Sequence, residues 1–170
     1  MNPSPTSNFA PLEDVEPLIS ILSKISFFGG VSDAQRHRIF NLLEIGHFNQ
    51  GEFISKKGDQ PSHIYIIKKG RVGLLITDNE VAIQKREFRV GDCFGEAALL
   101  SMNNNTASFV ALEASEIVVL SQRSLNRLRH EDLELFCLLI MNIARELARK
   151  LQFTDNILLA NEHSHDQKAA

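Results

Sequence analysis

Phe94-Gly95-Glu96-Ala97-Ala98 holds the residue types from which a small-anion site can be built. Gly95 has no Cβ, so main chain there can approach a ligand closely. Ala97, Ala98 and Leu99 read as the start of a short helix. The N–H groups of a first helical turn have no partner within the helix and favour an anion such as a phosphate. An ionised Glu96 accepts hydrogen bonds without donating them, which suits a sugar hydroxyl. The plainer alternative, a mere strand-to-helix corner, carries equal weight on these residues alone.

The elements that must position this corner can be placed from how glycine is distributed. All nine glycines lie between Gly29 and Gly95, and residues 96–170 hold neither Gly nor Pro. The middle of the chain is therefore rich in turns, and the C-terminal stretch can support a long helix. Candidate strands are 44–49, 52–56, 62–68, 71–77, 81–89, 92–95, 107–113 and 116–121. The turn signals between them include Gly51-Glu52, Lys57-Gly58-Asp59, Lys69-Gly70, Asp78-Asn79 and Gly91-Asp92. Ile64 and Ile66, then Val72, Leu74 and Ile76, alternate as in strands half-buried on one face. Many short strands at this spacing fit a sandwich or jelly roll.

Residues 1–11 hold three of the five prolines and read as a flexible lead-in. Leu12, Val15, Leu18, Ile19, Leu22 and Ile25 repeat at helical spacing. Ser32 reads as the N-cap of a short helix through Leu43, with Ile39, Leu42 and Leu43 inward. Ser121 to Ser124 opens helix again. A short helix through His130 leads to a long one from about Glu131 to about Phe153. Residues 161–170 read as a polar, flexible tail. The expectation is a single domain over 12–160, with its β-roll at about 44–121 and C-terminal helices at about 122–158.

Composition narrows the function. Lys plus Arg number 18 and Asp plus Glu 21, a net charge of 18 − 21 = −3 over 170 residues. That weakly acidic total removes the strong electrostatic case for nucleic acid or anionic membrane. Apolar residues make up 44% and charged residues 23%, which excludes disorder along the whole chain. The longest apolar run, Leu135 to Met141, is far short of the roughly 20 residues of a membrane span. No Lys or Arg precedes Lys24, so a secretory signal is not expected. Cys93 and Cys137 read as reduced thiols of a cytoplasmic protein. His37, His47, His63 and His130 lack the neighbours of a metal site, and no local signature of nucleophilic catalysis is present.

Three stretches together resemble the cyclic nucleotide-binding domain family, of the catabolite-activator and protein kinase A regulatory-subunit type. They are Gly51-Glu52-Phe53-Ile54 with Gly58-Asp59, the run Ile64 to Val72, and Gly91-Asp92-Cys93-Phe94-Gly95-Glu96-Ala97-Ala98-Leu99-Leu100. The resemblance covers residues about 12 to 153. It implies a mainly β fold with flanking helices: an eight-stranded jelly roll with a short helix inserted near Glu96. It also implies that Glu96 holds the ribose 2′-hydroxyl and that main chain around Gly95, Ala97 and Ala98 cradles the cyclic phosphate. The implied ligand is cAMP or cGMP, with no other cofactor and no enzymatic activity.

The chain departs from this family at one position. Nucleotide-binding members place an arginine on the phosphate, followed by two small residues. Aligning Ala107 and Ser108 with those small residues puts Asn105 at the arginine position, and no Lys or Arg lies between Arg89 and Arg123. A bidentate Arg–phosphate pair makes two charge-assisted hydrogen bonds. Its loss costs about 3–5 kcal/mol, or about two to four orders of magnitude in affinity. Either the pocket binds poorly, or its ligand differs, or a basic side chain reaches in from elsewhere. Thr106 resembles the threonine of guanine-selective members, but a threonine chosen for β-propensity at the start of a strand is the favoured reading. The candidate ligand set is Phe94, Gly95, Glu96, Ala97, Ala98, Asn105, Thr106 and Ala107.

Leu133, Cys137, Ile140, Ala144, Leu147 and Leu151 form a heptad seam, with Phe136, Leu139 and Ile143 beside it. One stripe can pack on the roll and the other on a second copy, giving a homodimer through 131–153; a single wide core-facing stripe is the alternative. About 17 residues lie beyond the helix, too few for the helix-turn-helix of family transcription factors. The sequence thus reads as a stand-alone cytoplasmic signalling module that passes a ligand signal to a partner protein through its C-terminal helix. The alternative is a degenerate roll that binds no nucleotide and serves protein interaction.

Overall fold

The strand His63–Lys69 buries Ile64, Tyr65, Ile66 and Ile67 together. The alternation in sequence implies one solvent-facing side, but both sides are covered. Ile64 and Ile66 point into a core shared with the helices, whereas Tyr65 and Ile67 point into the interior of the roll. Its neighbour Ser115–Ser121 divides in the same way, Val118 and Leu120 outward to the helices and Ile117 and Val119 inward. Strands buried on both faces read as continuous apolar runs.

The structure is a computed structural model that describes residues 9–12, 19, 25, 28–78 and 81–166. In chain order the elements are β1 (Ala10–Pro11), α1 (Asp33–Phe40), β2 (Leu43–Phe48), β3 (Phe53–Ser55), β4 (His63–Lys69), β5 (Val72–Asp78), β6 (Val81–Phe88), β7 (Cys93–Phe94), α2 (Glu96–Ser101), β8 (Ser108–Ala111), β9 (Ser115–Ser121), α3 (Gln122–Glu131) and α4 (Leu133–Asp166). Two sheets, in the orders β1-β2-β9-β4-β7 and β3-β8-β5-β6, form the roll, and all their pairs are antiparallel. The eight expected strands are present within a few residues of their expected bounds. β1 is additional: the end of the expected lead-in, Ala10–Pro11, pairs with Ile45 and Glu44 of β2. The apolar repeat over 12–25 lies largely outside the described residues.

Helix ends obey their caps. Ser32 caps α1 through a reciprocal box with Gln35, at 2.9 and 3.3 Å. That helix stops at Phe40, short of the expected Leu43, because Leu43 begins β2. Ser121 Oγ accepts from Ser124 N at 3.0 Å and caps α3. Asp132 breaks the chain between α3 and α4, and its Oδ1 accepts from Leu135 N at 3.0 Å. α4 then runs on to Asp166, well past Phe153 and into the expected tail.

α4 buries Leu135, Leu139 and Ile143 against the roll, with Phe136, Ile140 and Leu147 partly buried beside them. The heptad seam divides accordingly. Leu133 and Leu151 are 61% and 62% exposed, Cys137 and Ala144 are exposed, and Ile140 and Leu147 lie at the edge of the core. Neither cysteine is in a disulfide. Among the described residues no helix is long and apolar enough to cross a membrane.

Candidate functional site

β7 ends at Phe94, and the chain turns at once into α2. Gly95 makes that turn at φ +87°, a left-handed conformation. A Cβ there would stand 2.7 Å from His63 O and 2.8 Å from Tyr65 Cδ2, so two independent constraints demand glycine. No side chain caps α2. Its C-terminal end turns back at Met102, also left-handed at φ +57°. The chain is then pinned to the Gly58-Asp59 turn: Asn105 N donates to Asp59 O at 2.9 Å, and Gly58 N donates to Asn105 O at 2.8 Å.

Between α2 and residues 105–107 lies a cavity of about 360 Å³. All eight residues singled out in the sequence line it: Phe94, Gly95, Glu96, Ala97, Ala98, Asn105, Thr106 and Ala107. That volume is within the range of small-ligand sites. Phe94 is 2% exposed and stacks on Phe109 at 4.2 Å and on Tyr65 at 4.9 Å, so it supports the floor rather than projecting inward. Leu74, Phe88 and Phe109 extend an apolar wall. Leu147, Lys150, Leu151 and Thr154 of α4 form the remaining side.

Glu96 is buried, 5% exposed. Its Oε1 accepts from Lys150 Nζ at 2.6 Å, and its Oε2, buried, has no partner among the described residues. Lys150 Nζ also donates to Cys93 O at 2.9 Å and lies 3.6 Å from Cys93 Sγ. Burial alone would push the lysine's pKa down, but Cys93, Glu96 and Glu146 more than offset it and hold Lys150 above its ordinary value. Burial pushes the Cys93 thiol up to about 11, so it is not a thiolate near neutrality. Arg86 also lines the cavity, but from the exposed rim, its guanidinium 4.7 Å from the centre of the Phe88 ring.

Lys150 is the site residue that sequence patterning passes over. Its signal is present: it lies seven residues after Ile143 and three after Leu147, on the inward stripe of α4. A cation continuing a buried stripe needs an anion opposite it, and Glu96 is that anion.

A short helix entered through a glycine turn and a cavity flanked by a long C-terminal helix, on a roll of this topology, define a β-roll domain with a candidate ligand cavity. A family model for the cyclic nucleotide-binding domain matches residues 45–132, and the chain belongs to this family. The cGMP-dependent protein kinase of Plasmodium berghei is 32% identical over 107 residues, 63% of this chain but 12% of the kinase. The chain therefore spans a small part of that relative. A cyclic nucleotide-binding domain from Methylobacillus flagellatus superposes with a TM-score of 0.76 at 19% identity, covering 86% of this chain and 83% of the other. The regulatory subunit of a cAMP-independent protein kinase A from Trypanosoma brucei, as a triple mutant bound to cAMP, gives a TM-score of 0.65 at 25% identity over 81% and 47%. The domain is of a regulatory, non-catalytic kind, although kinases that contain it are enzymes.

Proposed function

We propose that this chain is a cytoplasmic regulatory module, not itself an enzyme, that takes a cyclic mononucleotide (cAMP or cGMP) in the cavity beneath α4 and passes its occupancy through α4 to a partner protein. The observation that carries this reading is a cavity that unites the eight residues above and is lined by Glu96, whose buried Oε2 has no donor among the described residues. Leaving such an atom unpaired is costly, and a ligand hydroxyl would satisfy the carboxylate once it turns toward the cavity. In this reading Glu96 takes the ribose hydroxyl. Main-chain amides at Gly95, Ala97 and Ala98 take phosphate oxygens. Asn105, Thr106 and Ala107 complete the opposite wall, and Leu74, Leu147 and Leu151 offer apolar surface to the base. Because four α4 residues line the cavity, filling it changes what the helix packs against. Signalling then requires that the ligand favour one helix position over another.

The exposed part of the α4 seam supports a homodimer through 131–153. Light scattering on dilute protein is expected to give twice 19.1 kDa; a stable 19.1 kDa particle would reject the dimer.

A second reading, a roll used only for protein interaction, is favoured by Asn105, which brings no charge to a phosphate. The Trypanosoma relative, from a kinase described as cAMP-independent, is a reminder that family membership does not by itself bring cAMP dependence. Calorimetric titration with cAMP and cGMP separates the two. The first reading expects a one-to-one complex with a dissociation constant between about 1 μM and 1 mM. No heat for either nucleotide up to several millimolar would leave the second.

A further inference from the structure

Two residues that line the cavity have hydrogen-bonding capacity to spare, and they are neighbours. Glu96 Oε2 is the acceptor. The donor is on Lys150. An ammonium has three N–H groups. Two are taken, by Glu96 Oε1 at 2.6 Å and Cys93 O at 2.9 Å. Among the described residues the third finds Cys93 Sγ at 3.6 Å, and sulfur is a weak acceptor. A molecule carrying a hydroxyl beside an anionic oxygen satisfies both groups at once, and a sugar phosphate has that pattern.

Charge points the same way. A lone buried carboxylate repels a phosphate, and the loop holding Asn105 brings no cation to offset it. Among the described residues lining the cavity the cations are Lys150 and Arg86. Arg86 is exposed at the rim, whereas the Lys150 side chain is 25% exposed and rests against Glu96. Its four-carbon stem can turn the ammonium without moving the backbone.

Resting on the cyclic nucleotide reading above, we propose that Lys150 is the phosphate counter-charge of this site, delivered from α4 in place of the arginine that Asn105 displaces. Ligand charge and helix position are then linked directly: the phosphate is fully neutralised only while α4 is docked over the cavity.

The test is calorimetry with cAMP and cGMP on the full chain and its variants. Lys150→Met is expected to weaken the tighter-binding nucleotide about 10- to 100-fold, and Lys150→Arg to keep it within about fivefold. Glu96→Gln against Glu96→Gln/Lys150→Met repeats the comparison with no carboxylate left unpaired. It covers the case in which the single Lys150→Met variant fails to fold, and the same loss of at least tenfold is expected. Unchanged or tighter binding on removal of Lys150 in either background overturns the proposal and makes the lysine a plug. Failure of the unaltered chain to bind either nucleotide overturns the underlying reading instead, a result that involves no change at Lys150.

Discussion

Lys150 Nζ stands 2.6 Å from Glu96 Oε1, joining the long C-terminal helix to the glycine corner of the roll across 54 residues of sequence. The side chain of Glu96 is 6% exposed and that of Lys150 25%. Removing one partner of a fully buried pair costs about 3–5 kcal/mol. Lys150 retains some solvent, so Lys150→Met is expected to cost less, about 1–3 kcal/mol, chiefly by leaving Glu96 unpaired. Glu96→Gln/Lys150→Met is expected to recover most of the loss. Urea unfolding of the two variants measures this; equal destabilisation in both would show that the pair contributes through packing rather than charge.

Asn105 lines the same cavity as Glu96, held there by main-chain bonds to the Gly58-Asp59 turn. Asn105→Arg adds a guanidinium at the wall without altering those bonds. It is expected to tighten cAMP or cGMP about 10- to 100-fold. This is less than the full cost reckoned for the missing arginine, because Lys150 already supplies one charge. Titration calorimetry reads the change, and identical affinities would place residue 105 away from the phosphate.

Much of this site is legible in sequence because its parts are local. Gly95, Glu96 and the two alanines are contiguous, and the turn glycines fix where the strands break. The β1 strand is not legible, since Ala10–Pro11 is a two-residue edge whose proline offers no N–H to the ladder. β4 reads as half-buried because alternation does not reveal that helices cover the second face. The Lys150–Glu96 contact joins distant segments, and a periodicity that counts only apolar residues passes over a lysine on the same stripe.

His63, on β4, sets a pH dependence. Burial lowers its pKa from 6.5 to about 4. Its ring meets Phe9 edge-on at 4.8 Å, and Nδ1 lies 2.7 Å from Ser62 Oγ. Between those two values the unfolded chain binds a proton that the folded chain refuses. Stability from this residue is therefore intact above about pH 6.5 and falls as pH drops toward 4, by about 1–3 kcal/mol in all. His63→Gln is expected to flatten the urea midpoint against pH in that window. The same slope in both proteins would assign the loss to other groups.

In the cyclic nucleotide reading the ligand enters the cavity between residues 94–98 and 105–107 and is felt by α4. Amide nitrogen–proton NMR spectra of the full chain, with cAMP or cGMP added stepwise, observe both events at once. The expected result is saturable shifts at Gly95, Ala97, Ala98, Asn105 and Thr106, together with Leu147 to Thr154 of α4. Saturation that leaves those amides unmoved, or an unchanged spectrum at several millimolar nucleotide, would contradict it.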